Sequence, residues 1–242
     1  MGKIGHITWK ELRGYFTSWM AYALLAGWLL FTGLIWTVLL MSVVRSPQFQ
    51  VGAIFQNLVV VLLFITPLLT MRLLAEERGS GTIEMLFTAP LSEWQVAIGK
   101  FLAAWIFVGV MLLLTLYVPI FTLRYGSVDT GPLWGSYVAL LCMGAAFTAF
   151  GVFCSSLTAS QVVAGFLTFG GLLLSWMLAW PAQAVPGSAV AEFIAQWSIF
   201  SHFSPMLNGA VDTRDLIFFV SIVLLCLFAT VRVLESRKWR SL

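Results

Sequence analysis

The chain has 242 residues, 60% of them hydrophobic and only 10% charged, with a net charge of +3. Soluble domains are about a quarter charged, so a soluble fold of this length would leave much apolar surface in water, whereas a bilayer removes that cost. The modest charge makes no case for a nucleic-acid partner. Cys142, Cys154 and Cys226 all lie in apolar stretches and form no Cys/His cluster with metal-ligand spacing, so free thiols are expected, with neither a disulfide framework nor a metal site.

In chain order, residues 4–19 read as an amphipathic helix, with Trp9, Leu12, Phe16 and Trp19 at spacings of three and four. Such a helix lies in the membrane interface, its aromatics towards the acyl chains, either as a simple anchor or as a helix that also touches a cytoplasmic partner. It does not read as a signal peptide, because the apolar run after it is too long. A crossing needs about 20 mostly apolar residues, and on that measure spans are predicted at about 18–42, 53–74, 97–122, 134–155, 160–180 and 214–234. The backbone must be helical there, because each peptide group has to find its partner within the segment. The fold class is therefore all-α: one polytopic membrane domain of six spans over residues 1–242. Pro67 should bend the second span. Gly144, Gly151, Gly165, Gly170 and Gly171 allow close helix approach in the fourth and fifth.

Lys and Arg set the orientation. With both termini inside, the inner segments hold Lys3, Lys10, Arg13, Arg72, Arg78, Lys100, Arg232, Arg237, Lys238 and Arg240, against Arg45, Arg124 and Arg214 outside.

Between the second and third spans runs MRLLAEERGSGTIEMLFTAPLSEWQVAIGK, residues 71–100. Gly79 and Gly81 should end the helix arriving from the second span. Thr82 to Phe87 then form a short helix and Pro90 breaks it. Ser92 with Gln95 matches a capping box that opens the third span. The result is a rigid inner hairpin whose tip carries Ile83, Met85, Leu86 and Phe87, apolar residues that a merely solvated loop would not need. On the outer side, Val190, Phe193, Ile194, Trp197 and Phe200 recur at helical spacing, predicting a non-spanning amphipathic helix over about 189–203. Asp212 can cap the sixth span and Asp215 suits its first turn. His202, beside Ser201 and Ser204, reads as a polar residue at the wet end of the outer helix.

The hairpin resembles that of ABC transporter permeases of the type-2 exporter class. The matching residues are Thr66-Pro67, Met71-Arg72, Glu76-Glu77-Arg78, Gly81-Thr82-Ile83-Glu84, Pro90-Leu91-Ser92 and Gly99-Lys100-Phe101. The stretch Ser201-His202-Phe203 through Gly209, Asp212 and Arg214-Asp215 is similar in particular to the gliding-motility-associated permeases. The resemblance implies a coupling element of Glu76, Glu77, Arg78, Gly79, Gly81, Thr82, Ile83, Glu84 and Phe87 that docks on a separate ATP-binding subunit. It also implies an extracytoplasmic gate with Phe193, Trp197 and Phe200, and a second permease subunit, identical or related. The setting would be a bacterial inner membrane and the direction export.

The chain itself has no catalytic residues and no cofactor in this reading. It has no Gly-x-x-x-x-Gly-Lys-Ser/Thr loop, so ATP would be bound by the partner. The spans carry no pair of carboxylates or histidines, which argues against a membrane-embedded enzyme or an ion-coupled carrier. A structural anchor for a surface machine stays open as an alternative. The scarcity of charge along the spans points to a hydrophobic or amphiphilic cargo.

Overall fold

A computed structural model describes residues 2–43, 52–82, 91–117, 120, 130–177 and 198–238. Every regular element among them is helical: α1 Lys3–Phe16, α2 Trp19–Val43, α3 Gly52–Thr70, α4 Arg72–Gly79, α5 Glu93–Leu114, α6 Thr130–Leu157, α7 Gln161–Met177, α8 Ile199–Leu207 and α9 Thr213–Lys238. Five helical stretches among the described residues are long and apolar enough to cross a membrane: Trp19–Val38, Gly52–Gly79, Glu93–Leu114, Thr130–Leu157 and Thr213–Ser236. Helix α7, with 17 residues, rises about 25 Å, short of the roughly 30 Å hydrocarbon core. Residues 178–180, which the predicted fifth span includes, lie outside the described residues.

Helix α6 is the centre of the packing, touching α3, α5, α7, α8 and α9. Its sequence suits that position, because small residues let neighbouring backbones come close. A Cβ at Gly144 would stand 2.8 Å from Val108 of α5, and one at Gly151 would overlap Thr70 of α3. Gly171 is likewise closed off by the Phe150 ring, whereas Gly170 meets nothing within 4 Å. Around α6 the core is built from Leu58, Leu62, Phe107, Met111, Met143 and Phe147, all buried. Helix α2 is peripheral and keeps Leu30, Phe31, Leu34 and Val38 exposed. It is held by the buried Trp28, whose indole N–H donates to the Met111 carbonyl at 2.9 Å.

Helix α1 ends at Phe16, and Thr17 and Ser18 alone separate it from α2. Trp9 and Trp19 are exposed as expected of an interfacial helix. Leu12 and Phe16 are not turned to the acyl chains: both pack on the core, and Phe16 lies 5.8 Å from the Phe107 ring. The apolar arc read from spacing is therefore divided, part covering α5 and part facing outward.

Pro67 lies inside α3, and the helix is interrupted four residues later at Met71. There the Ser155 hydroxyl of α6 accepts from the Leu74 and Ala75 N–H groups, each at 3.0 Å, and donates to the Met71 carbonyl at 3.1 Å. A side chain inserted into the ladder is a recognised cause of a helix break. On the far side of the molecule the predicted outer helix is seen only in part. Its described portion is α8, which runs past residue 203 to Leu207; Val190, Phe193, Ile194 and Trp197 lie outside the described residues.

Candidate functional site

The hairpin is built at its base as the sequence dictates. Ser92 caps α5 and Gln95 reciprocates, forming a capping box. Helix α4 ends at Gly79, and Gly81 takes φ +74°, a left-handed conformation open to glycine. The Ser80 hydroxyl donates to the Glu76 carbonyl at 2.9 Å and that of Thr82 donates to Glu77 at 3.3 Å, closing the turn.

Lys100 is the hub beneath this turn. It lies eight residues into α5, and its side chain is 2% exposed. An isolated ammonium in that position would be prohibitively desolvated, so it must be paired. Its Nζ reaches Glu11 of α1 at 2.9 Å, Glu77 of α4 at 2.8 Å and the Leu73 carbonyl at 2.6 Å. One side chain thus ties together α1, α4 and α5. Above it, the Arg72 guanidinium sits 4.7 Å over the Tyr15 ring and donates to the Ser18 hydroxyl at 3.3 Å. The Tyr15 hydroxyl donates to the Leu69 carbonyl at 2.9 Å, and burial raises its pKa above the usual phenol value. These groups line a cleft of about 600 Å³ between α1 and α4, with Lys10, Glu76, Ser80 and Thr82 at its sides.

The expected coupling residues divide into two sets. Glu77 and Arg78 point inward and brace the stem, Glu77 through Lys100 and Arg78 by donating to the Ser156 carbonyl of α6. Glu76, Gly79, Gly81 and Thr82 are exposed along the turn. Gly79 is also where the hairpin touches the α6–α7 connection, since a Cβ there would meet the Ala159 carbonyl at 2.9 Å. Ile83, Glu84 and Phe87 lie outside the described residues. Of the expected gate residues, Phe193 and Trp197 are likewise outside them. Phe200 is half-buried, 6.4 Å from Trp176 and 6.2 Å from Phe203.

His202 departs from the expectation of a wet helix end. It is buried, its Nδ1 lies 2.6 Å from Asp215 Oδ1, and its ring stacks on Phe218 at 3.9 Å. Asp215 is therefore a partner for α8 as well as a first-turn acid of α9, where the Asp212 carboxylate accepts from the Arg214 N–H at 3.3 Å. Two signals could have found these pairs: an ionisable residue well inside an apolar helix requires a partner, and Glu11 is the sole carboxylate of α1.

A family model described as ABC-2 family transporter protein matches residues 43–234. The chain belongs to the ABC-2 transporter family. The match covers nearly four-fifths of the sequence and includes α3 to α8 and most of α9, while α1 and all but the last residue of α2 precede it. No curated protein matched the chain. As an ABC-2 protein it is a multi-pass membrane component of an ABC transporter, a transmembrane permease and generally not itself the catalyst. That class works with an ABC ATPase. Lys100, Glu77, Arg78 and Ser155 fall inside the matched residues; Glu11 and Tyr15 fall outside them.

Proposed function

We propose that this permease is moved by a separate ATP-binding subunit that grips the inner hairpin. The docking element comprises the exposed Glu76, Gly79, Gly81 and Thr82, backed by the bracing Glu77 and Arg78, with Ile83, Glu84 and Phe87 beyond them. The carrying observation is the bracing of the stem: Lys100, Arg78 and Ser155 fasten α4 to α1, α5 and α6. A displacement applied to the turn cannot be absorbed locally and must pass into α3, α5 and α6. A two-state permease can be switched only by a partner whose contacts differ between the states, and a stiff stem conveys that difference.

In this reading the chain crosses a bacterial inner membrane six times, at the spans predicted from the sequence, and both termini are cytoplasmic. Two permease subunits, identical or related, enclose the pathway, with Phe193, Trp197 and Phe200 at its outer gate. The chain binds no nucleotide of its own, and the direction is export of a hydrophobic or amphiphilic cargo. The gliding-motility-associated kinship belongs to this proposal on the residues given above.

The test is affinity purification of the tagged chain from its native membranes, with mass spectrometry of what accompanies it. The expected result is an ATPase carrying a Walker loop, lost when Glu84 and Phe87 are both replaced by alanine while membrane insertion is kept. Undiminished recovery of that ATPase with the double variant would refute the docking assignment.

A further inference from the structure

Helix α1 has a second face, turned away from Lys100, on which Lys10 also lines the cleft beside Glu76. Helix α1 carries four charged side chains besides His6: Lys3, Lys10, Glu11 and Arg13. Its sole carboxylate, Glu11, is turned inward onto Lys100. Lys3, His6, Trp9, Lys10 and Arg13 are all exposed, with Trp9 at 65%. At 100° per residue these positions fall within one arc of about 120°. The inward arc is made by Ile7, Thr8, Leu12 and Tyr15, and the Thr8 hydroxyl donates to the Gly99 carbonyl at 3.2 Å. The ion pair thus occupies the one carboxylate that α1 carries.

Position then selects the partner. Only Thr17 and Ser18 separate α1 from α2, whose first residue, Trp19, is 87% exposed. Helix α1 cannot leave the level at which α2 enters the membrane. Lys and Arg on a surface helix with exposed tryptophans at headgroup depth are complementary to an anionic lipid surface.

We propose that the outward arc of α1 binds anionic phospholipid headgroups, with Lys10 and Arg13 as the principal cations, Lys3 supporting them, and Trp9 seated among the headgroups. The proposal rests on the inward orientation given above only for which leaflet is met. Through Glu11, Lys100 and Glu77 the lipid-facing helix is joined to the hairpin stem, so headgroup charge has a direct route to the part that a motor would move. Helix α1 lies outside the residues matched by the family model, so nothing in that match assigns this face.

The test uses the full chain without ATPase, in nanodiscs of POPC and of POPC with POPG at 7:3, read by hydrogen exchange of the α1 amides. Both leaflets carry the same lipid, so an error in the assigned orientation does not alter the outcome. Exchange in α1 should slow at least about fivefold in the POPG discs, the factor that one Lys or Arg contributes at such a surface. The slowing should be lost in Lys10→Gln/Arg13→Gln, retained in Lys10→Arg/Arg13→Lys, and suppressed by 0.5 M salt. The α5 amides should be unchanged throughout, which separates lipid binding from unfolding. Equal α1 exchange of the unmodified chain in the two discs would overturn the proposal without reference to any variant. So would protection that appears only when the ATPase is added, which would make the arc a protein-docking face; failure of the ATPase to bind at all would leave the lipid result standing.

Discussion

Replacing Lys100 with methionine isolates the interaction on which the stem depends. The carboxylates of Glu11 and Glu77 each stand within 2.9 Å of the Lys100 nitrogen, so their bonded oxygens are less than about 6 Å apart. With the ammonium removed, two like charges at that separation repel by about 3 kcal/mol at an effective dielectric near 20. Breaking a buried pair from one side costs roughly 3–5 kcal/mol. Both glutamates remain about a fifth exposed, which places the expected loss near the lower end, at about 3 kcal/mol. The cost arises from the stranded carboxylates, so Lys100→Met/Glu11→Gln/Glu77→Gln should regain most of it and come within about 1 kcal/mol of the unmodified chain. Unfolding by SDS in mixed micelles measures the stability, and tryptic cleavage at Lys10 and Arg13 reports release of α1. A single variant as stable as the original, or a triple variant no better than the single, would refute the account of Lys100 as the tie between α1, α4 and α5.

Ser155→Ala leaves the N–H groups of Leu74 and Ala75 without their shared acceptor and should cost about 1–3 kcal/mol in the same titration, whereas Ser155→Thr should cost less. Tyr15→Phe removes the bond to the Leu69 carbonyl and should lose about 1 kcal/mol at neutral pH. In the unmodified chain, burial raises the Tyr15 pKa in the folded state. The unfolded chain therefore gives up that proton first, and stability should fall as pH rises above about 10. Unfolding curves at pH 8 and pH 11 should show that this decline is smaller in the phenylalanine variant. Gly151→Leu drives a side chain into Thr70 and should prevent stable packing of α3 on α6, measured as loss of monodisperse protein after detergent extraction, while Gly170→Leu, in open space, should be recovered normally.

The five helices long and apolar enough to cross were legible because each is set by a single property, apolar length, and helix ends by local chemistry: Ser92 with Gln95, and Gly79 with Gly81. The pairs across the fold were less legible. Lys100 is one cation near the end of a long apolar run, and spacing alone places it with the inner loop; only the packing of α1 over α5 shows that it is buried and what it meets. His202 looked wet because serines flank it in sequence, yet α9 covers it from a distance of 13 residues and supplies Asp215. The division of the α1 apolar arc had the same cause, since periodicity identifies a face and not what covers it. Conversely, Glu76-Glu77-Arg78 is one motif in sequence and two environments in space, with Glu77 and Arg78 paired inward and Glu76 exposed, because successive helical residues point about 100° apart.

The central claim is that the turn after α4 faces the cytoplasm and is held there by an ATPase. Ser80 is exposed at that turn and provides the direct probe, as Ser80→Cys in a chain whose Cys142, Cys154 and Cys226 have been replaced. A membrane-impermeant maleimide should leave it unlabelled in intact cells, label it in inside-out vesicles, and label it more slowly once the ATPase is bound. Labelling from outside intact cells would contradict the orientation and, with it, the whole reading of the hairpin as a handle for a motor.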